Sequence, residues 1–228
     1  MPRQNRVTPF STLIATPARG TLMGNRGCLH DGNGQIVRPY RGRLWISCLT
    51  SFKGRHRPLM TPGHYTELFF LDEAVAFSAG HRPCAECRRA AYRAFRAAWD
   101  RAGLPPCDRA SDIDRQLHAA RLAGRAQNRL TLPAEHLPDG AFVLDRDGRA
   151  LLVLGPLALP YAPEGYGAPL PRPAGPVAAL TPGPLLAVLR AGYRPLLHPS
   201  ALTSNAPCMS QPDAPDIPAR AFLRSEAP

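Results

Sequence analysis

The chain has 228 residues, with 28 Lys+Arg against 17 Asp+Glu, a net charge of +11 and an isoelectric point near 10.1. That length can bury a substantial core, so a bound metal would support the fold rather than replace its interior. The charge suits a polyanion such as nucleic acid better than an acidic metabolite. The absence of any run of about 18 apolar residues argues against a membrane span.

Met1-Pro-Arg-Gln-Asn-Arg-Val lacks the apolar centre of a secretory signal, and six scattered cysteines do not make a dense disulfide framework. The expected setting is therefore a reducing cytoplasm. Residues 1–131 hold 21 Lys+Arg against 9 Asp+Glu, whereas residues 132–228 hold 7 against 8. The cationic surface is thus expected in the N-terminal part. Lys53 is the only lysine, so nearly every cation is a guanidinium able to clamp a phosphate with two parallel hydrogen bonds.

Up to about Arg43, Gly and Pro recur at short intervals, which predicts loops with short strands. Residues 44–50 and 65–70 are rich in β-branched and aromatic side chains and read as strands. Asp72 caps a helix predicted over 73–79, which Gly80 stops. Pro83 suits the first position of a longer helix, 83–102, ended by Gly103 and Pro105-Pro106. On it Tyr92, Phe95 and Trp99 share a face that should meet the core, while Arg89, Arg93 and Arg96 form a neighbouring stripe able to follow phosphates. A third helix is predicted over 112–125.

Beyond residue 131 the composition changes: 18 of the 27 prolines lie there, which disfavours long helices. A hairpin is expected from 140–144 to 149–154, a strand at 177–180, a short helix at 184–191 and a disordered tail from Ser204. The class is α+β, ending in a Pro-rich, mainly β region.

Cys84-Ala-Glu-Cys87 at a helix start lets both sulfurs reach one ion, with Arg82, Arg88 and Arg89 nearby to lower the thiol pKa values. Two thiolates are half of a tetrahedral zinc site. Cys48, at the end of an apolar strand, is the third expected ligand. For the fourth, His30 in its Gly-bounded loop is preferred over Cys28, His56 and His64, with His81 a rival cramped by its closeness to Cys84.

Phe69-Phe70, the 73–79 helix and Gly80-His-Arg-Pro-Cys-Ala-Glu-Cys-Arg-Arg89 resemble the metal-binding domain of the Ada methyl-phosphotriester repair protein and related zinc modules attached to nucleases. The resemblance spans roughly residues 44–90. It implies an Ada-like zinc module, placed at 20–103; the element pattern and composition add a helical connection at 104–131 and a Pro-rich β-containing region at 132–203 before the 204–228 tail. It also implies a link to DNA repair or processing, with DNA a better expected partner than RNA. One departure matters: where the Ada pattern has a second upstream cysteine, this chain has Phe52. Four thiolates on zinc make a strongly nucleophilic, doubly negative centre, and exchanging one for neutral His weakens it. The expected zinc is therefore structural rather than a methyl acceptor.

Arg55 and Arg57, in Ser51-Phe-Lys-Gly-Arg-His-Arg57, join cations to an aromatic as single-strand binders do. Asp114, His118 and Arg121 share a side of the third helix, where the carboxylate could orient the imidazole for acid–base work in a nuclease. A protein-interaction module held together by zinc is the third reading.

Overall fold

The computed structural model describes residues 1–55 and 58–203. His56, Arg57 and the tail expected from Ser204 lie outside the described residues. No helix among those described is long and apolar enough to cross a membrane.

The first sheet gathers six short strands: β1 (Gln4–Val7), β2 (Leu13–Ala15), β3 (Leu22–Asn25), β4 (Ile46–Cys48), β5 (Leu68–Phe70) and β6 (Arg82–Pro83). Their spatial order is β2-β1-β5-β3-β4-β6, with β1–β5 and β4–β6 parallel and the remaining pairs antiparallel. Between β5 and β6 lies α1 (Glu73–Ser78), whose N-cap Asp72 accepts from the Val75 amide at 3.0 Å. Gly80, at φ +83°, follows it. A Cβ there would stand 2.6 Å from Arg121 Cδ, so the position needs glycine for space as well as for its backbone.

The longer helix starts later than Pro83 implies. Arg82 and Pro83 run beside β4 instead, with the Arg82 amide donating to Trp45 O (3.2 Å) and the Cys84 amide to Ser47 O (2.9 Å). A strand of two residues at the sheet edge accommodates a proline that has no N–H to give. After a tight turn through the cysteines, α2 runs over Arg89–Arg101 and buries Phe95 and Trp99. Then α3 (Ala110–Arg121) ends earlier than expected, because the chain folds back as a two-stranded hairpin, β7 (Leu122–Ala123) and β8 (Ala126–Gln127), turning at Gly124 with φ +63°.

The C-terminal part contributes β9 (Leu130–Pro133), β10 (Phe142–Leu144), β11 (Ala150–Leu154), β12 (Leu157–Ala162), β13 (Gly165–Tyr166), β14 (Leu170–Pro171) and β15 (Pro176–Ala179), then α4 (Gly183–Arg190) and α5 (Ser200–Thr203). The expected hairpin is present, with Phe142 opposite Leu152 and Leu144 opposite Ala150. Alternation along these strands feeds two cores. Val143, Leu151 and Val153 pack with Phe95, Trp99, Ile113 and Leu117, whereas Phe142, Leu152 and Leu159 pack with Leu68, Phe70 and Val75. The boundaries expected at 103 and 131 therefore do not separate independent cores. α2, α3 and α4 form one cover of the second sheet, and the first sheet with α1 forms the other.

Buried carboxylates on α1 tie the two halves of the sequence together. Asp72 accepts from Tyr166 Oη (2.7 Å) and from the His198 amide (2.9 Å). Glu73 accepts from Arg88 (2.7 Å), Tyr193 Oη (2.8 Å) and the Leu196 amide (2.9 Å).

Candidate metal centre

The parallel pairing of β4 and β6 sets the site. It carries Cys48 off the end of one strand and Cys84 off the end of its neighbour, and the turn that follows brings Cys87 back to them. The three sulfurs lie within 4.8 Å of one another. The turn is fixed by backbone bonds, the Arg88 amide donating to Cys84 O (3.2 Å) and the Glu86 amide facing Cys84 Sγ (3.4 Å). Cys48 and Cys84 are buried and Cys87 is half-buried.

Electrostatically, three thiols this close cannot all ionise unaided. Cys84 takes the charge, its pKa lowered to about 5 chiefly by the hydrogen bond from Cys48, against the cost of burial, with help from the Cys87 and Glu86 amides. Cys48 is pushed far above the ordinary thiol range by the same hydrogen bond and by burial, and Cys87 is raised by burial. A cation among them would remove the repulsion and deprotonate all three. The donor set, the spacing and the preformed backbone together suit a metal ion.

Arg82 and Arg88 are committed first to carboxylates rather than to the thiols. Arg82 binds both oxygens of Asp114 at 2.8 Å, buried, and Arg88 reaches Glu73 and Ser47. What lowers the Cys84 pKa is local hydrogen bonding.

The residue expected as fourth ligand stands apart from the sulfurs. His30 does not join the sulfur group: its Nδ1 meets Thr66 Oγ1 at 2.7 Å and its Nε2 meets Thr61 O at 3.2 Å. Both ring nitrogens are used in fastening its loop to the segment before β5. Cys28 and His64 also stand outside the group, and among the described residues no further His, Cys or carboxylate joins it. The three cysteines line a cavity of about 600 Å³, with Phe52, Tyr65 and Phe69 among its other walls. Arg55 is exposed at its margin, paired with Glu86 at 2.8 Å and lying over the Phe52 ring at 5.5 Å.

The arginine stripe on α2 is divided. Arg89 and Arg93 are exposed, but Arg96 is half-buried and donates to Cys107 O (2.6 Å) and Asp108 O (3.5 Å), closing the loop to α3.

Asp114, His118 and Arg121 do not form the acid–base group their spacing implies. Asp114 is fully engaged by Arg82, so it does not orient His118. The His118 Nδ1 instead meets Arg121 at 2.8 Å. Arg121 is buried, donates to Gly80 O (3.0 Å) and Arg43 O (2.8 Å), and stacks on Trp45 at 3.7 Å, so it presents no open fork for a phosphate on this face.

His81 is a different case. It is fully buried between Trp45 and Phe70, with ring centroids 5.2 and 4.7 Å away. Neither nitrogen has a partner at hydrogen-bonding length, and the Ala76 and Ala79 backbone exerts only a minor opposing pull. Burial, then Arg26 and Arg121, hold its pKa well below 6.5. The folded state thus refuses a proton that the unfolded chain accepts, so His81 adds stability above pH 6.5 that is lost as pH falls toward its depressed value. Urea unfolding should show a loss of about 1 kcal/mol between pH 6.5 and 5.5 from this group. A His81→Phe variant should lack that increment, and an equal loss in the variant would contradict the assignment.

Comparison with protein-family models, with curated proteins and with solved structures finds no match to this chain.

Proposed function

We propose that this chain is a zinc-binding, Arg-rich nucleic-acid-binding protein in which the metal has a structural role. The observation that carries it is the convergence of Cys48, Cys84 and Cys87 immediately before the exposed Arg89 and Arg93. Three soft thiolates in a compact group favour zinc over calcium or magnesium. An ion there would clamp the end of β4 to the turn that starts α2, and so fix the direction in which those two guanidiniums point. Arg55 at the cavity margin would extend the same surface. The likeness to the Ada domain supports DNA as the partner and rests on the Gly80–Arg89 motif with its upstream Cys48.

The test is binding of a single-stranded and a double-stranded DNA of mixed sequence across a salt series. Affinity should fall steeply with salt, and Arg89→Ala with Arg93→Ala should weaken it and flatten the slope of log K against log salt by about two. The Arg96→Ala variant should bind nearly as well as the parent, since that side chain holds a loop. Salt-insensitive binding, or none, would overturn the partner.

One feature favours a second reading, a nuclease or other nucleic-acid-processing enzyme. The thiolates border a cavity, and three protein ligands with an open position is the arrangement of catalytic rather than closed structural zinc. Metal-dependent turnover of DNA by the holoprotein would select it. Co²⁺ substitution tests the same point: if His56 is the fourth ligand, His56→Ala changes the visible spectrum and the site is closed.

A further inference from the structure

A second cavity, of about 1000 Å³, shares no lining residue with the metal centre. Its walls include Arg26, Arg38, Arg125 and Arg129, and no aspartate or glutamate. Trp45 and Tyr40 form an aromatic part of the wall, their rings 5.4 Å apart.

Arg26 is the unusual member. It is 1% exposed, lies 4.7 Å over the Trp45 ring, and donates only to Ser11, through Nη1 to Oγ (2.9 Å) and Nη2 to the carbonyl (3.0 Å). Its Nε has no acceptor. Arg121, on the same indole, also has an unpartnered Nε. Among the described residues neither forms an ion pair with a carboxylate, although Arg82 and Arg88 both do. Burial lowers the pKa of each to about 9. Two buried guanidiniums beside an uncharged histidine, with Arg26 in the cavity wall and three more arginines around the opening, are a costly arrangement in a protein that pairs Arg82 and Arg88 with buried carboxylates. An anion held in the cavity offsets the charge of Arg26.

The volume is too large for a bare phosphate and falls within the range of small-molecule sites. The walls offer aromatic surface as well as charge. A ligand carrying a phosphate and a planar body matches the charge and the aromatic surface of the walls. We propose that this cavity binds a phosphate monoester of nucleotide size, with the phosphate held by Arg26, Arg125 and Arg129. The phosphate belongs either to a free nucleotide or to the 5′ end of a nucleic acid. The site depends neither on the metal nor on the surface of α2.

Trp45 lies in the wall and Trp99, the other tryptophan, is in the core bound to Pro105 O, so tryptophan fluorescence reads the cavity directly. The full chain is titrated with adenosine 5′-monophosphate, adenosine, and one oligonucleotide with a 5′-phosphate or a 5′-hydroxyl. Saturable binding is expected for at least one phosphorylated probe, with its unphosphorylated counterpart at least about tenfold weaker. Binding of the mononucleotide assigns the site to a free nucleotide; binding confined to the 5′-phosphorylated oligonucleotide assigns it to a nucleic-acid end. Arg125→Ala and Arg129→Ala, both at exposed positions, should each weaken binding about tenfold while the fold is kept. In Arg26→Met, ligand should no longer raise the unfolding temperature. No saturation by any phosphorylated probe at about 1 mM, equal binding of the unphosphorylated ones, or unchanged affinity in both exposed variants would overturn the proposal.

Discussion

Replacing Cys84 by serine is expected to strip the metal and lower the unfolding temperature by roughly 10 °C, a loss of about 3–5 kcal/mol for a protein of this size. The effect should be smaller than in a zinc finger, which has no fold without its ion. Here the Cys84 amide is already bonded to Ser47 O, and Phe70, Phe95 and Trp99 are buried in cores that do not need the metal. Cys84 is the most informative position because its pKa is lowered by the hydrogen bond from Cys48 and its sulfur is the one the turn amide faces. A chelator separates metal loss from the loss of a thiol hydrogen bond. It should lower the unfolding temperature of the parent toward that of Cys84→Ser and leave the variant unmoved. Equal chelator effects on both would show that the serine substitution acts without the ion.

The second large effect is expected at Asp114. Asp114→Asn should cost about 3–5 kcal/mol, because Arg82 would keep its buried charge and lose the carboxylate that holds both its Nε and Nη2. Exchanging both partners for apolar residues should cost less than the Asn variant alone, since the pair's own desolvation would then disappear. Chemical denaturation of Asp114→Asn, Arg82→Leu and the double variant measures this directly. Strict additivity would contradict the buried pairing. A catalytic role for Asp114 would instead leave stability nearly unchanged and abolish an activity.

That Cys48 comes together with Cys84 and Cys87 was legible in the sequence because the pattern is local: two cysteines spaced to reach one point, and a third at the end of an apolar strand. The place of His30 was not, because its sequence looks the same whether it faces an ion or, as here, Thr66 and Thr61. The 73–79 helix, the 140–154 hairpin and the short helix after Pro182 were each visible from caps, Gly turns and alternation, with shifts of a few residues at the ends. Pro83 misled: a good first residue for a helix is also a good edge-strand residue, and the free carbonyls of Trp45 and Ser47 decided between them. Spacing on α3 correctly placed Asp114 and His118 on one side. It could not show that Arg82, 32 residues earlier, occupies the carboxylate. The same blindness affects the charge count. Some of the arginine content is internal: Arg26, Arg82, Arg88 and Arg121 are buried, and Arg172 binds the carbonyls of Ala134, Leu137 and Gly155. Buried glutamate and aspartate on α1 carried no sequence signal beyond the cap at Asp72, although they join the first sheet to the C-terminal segment.

The claim on which the account turns is that Cys48, Cys84 and Cys87 hold one metal ion together. Elemental analysis of the purified full chain combined with X-ray absorption at the zinc edge tests it most directly. The expected result is about one zinc per chain with three sulfur neighbours and one lighter ligand at tetrahedral distances. A chain purified without metal that takes up none from zinc-containing buffer, or zinc bound without sulfur in its first coordination sphere, would contradict it.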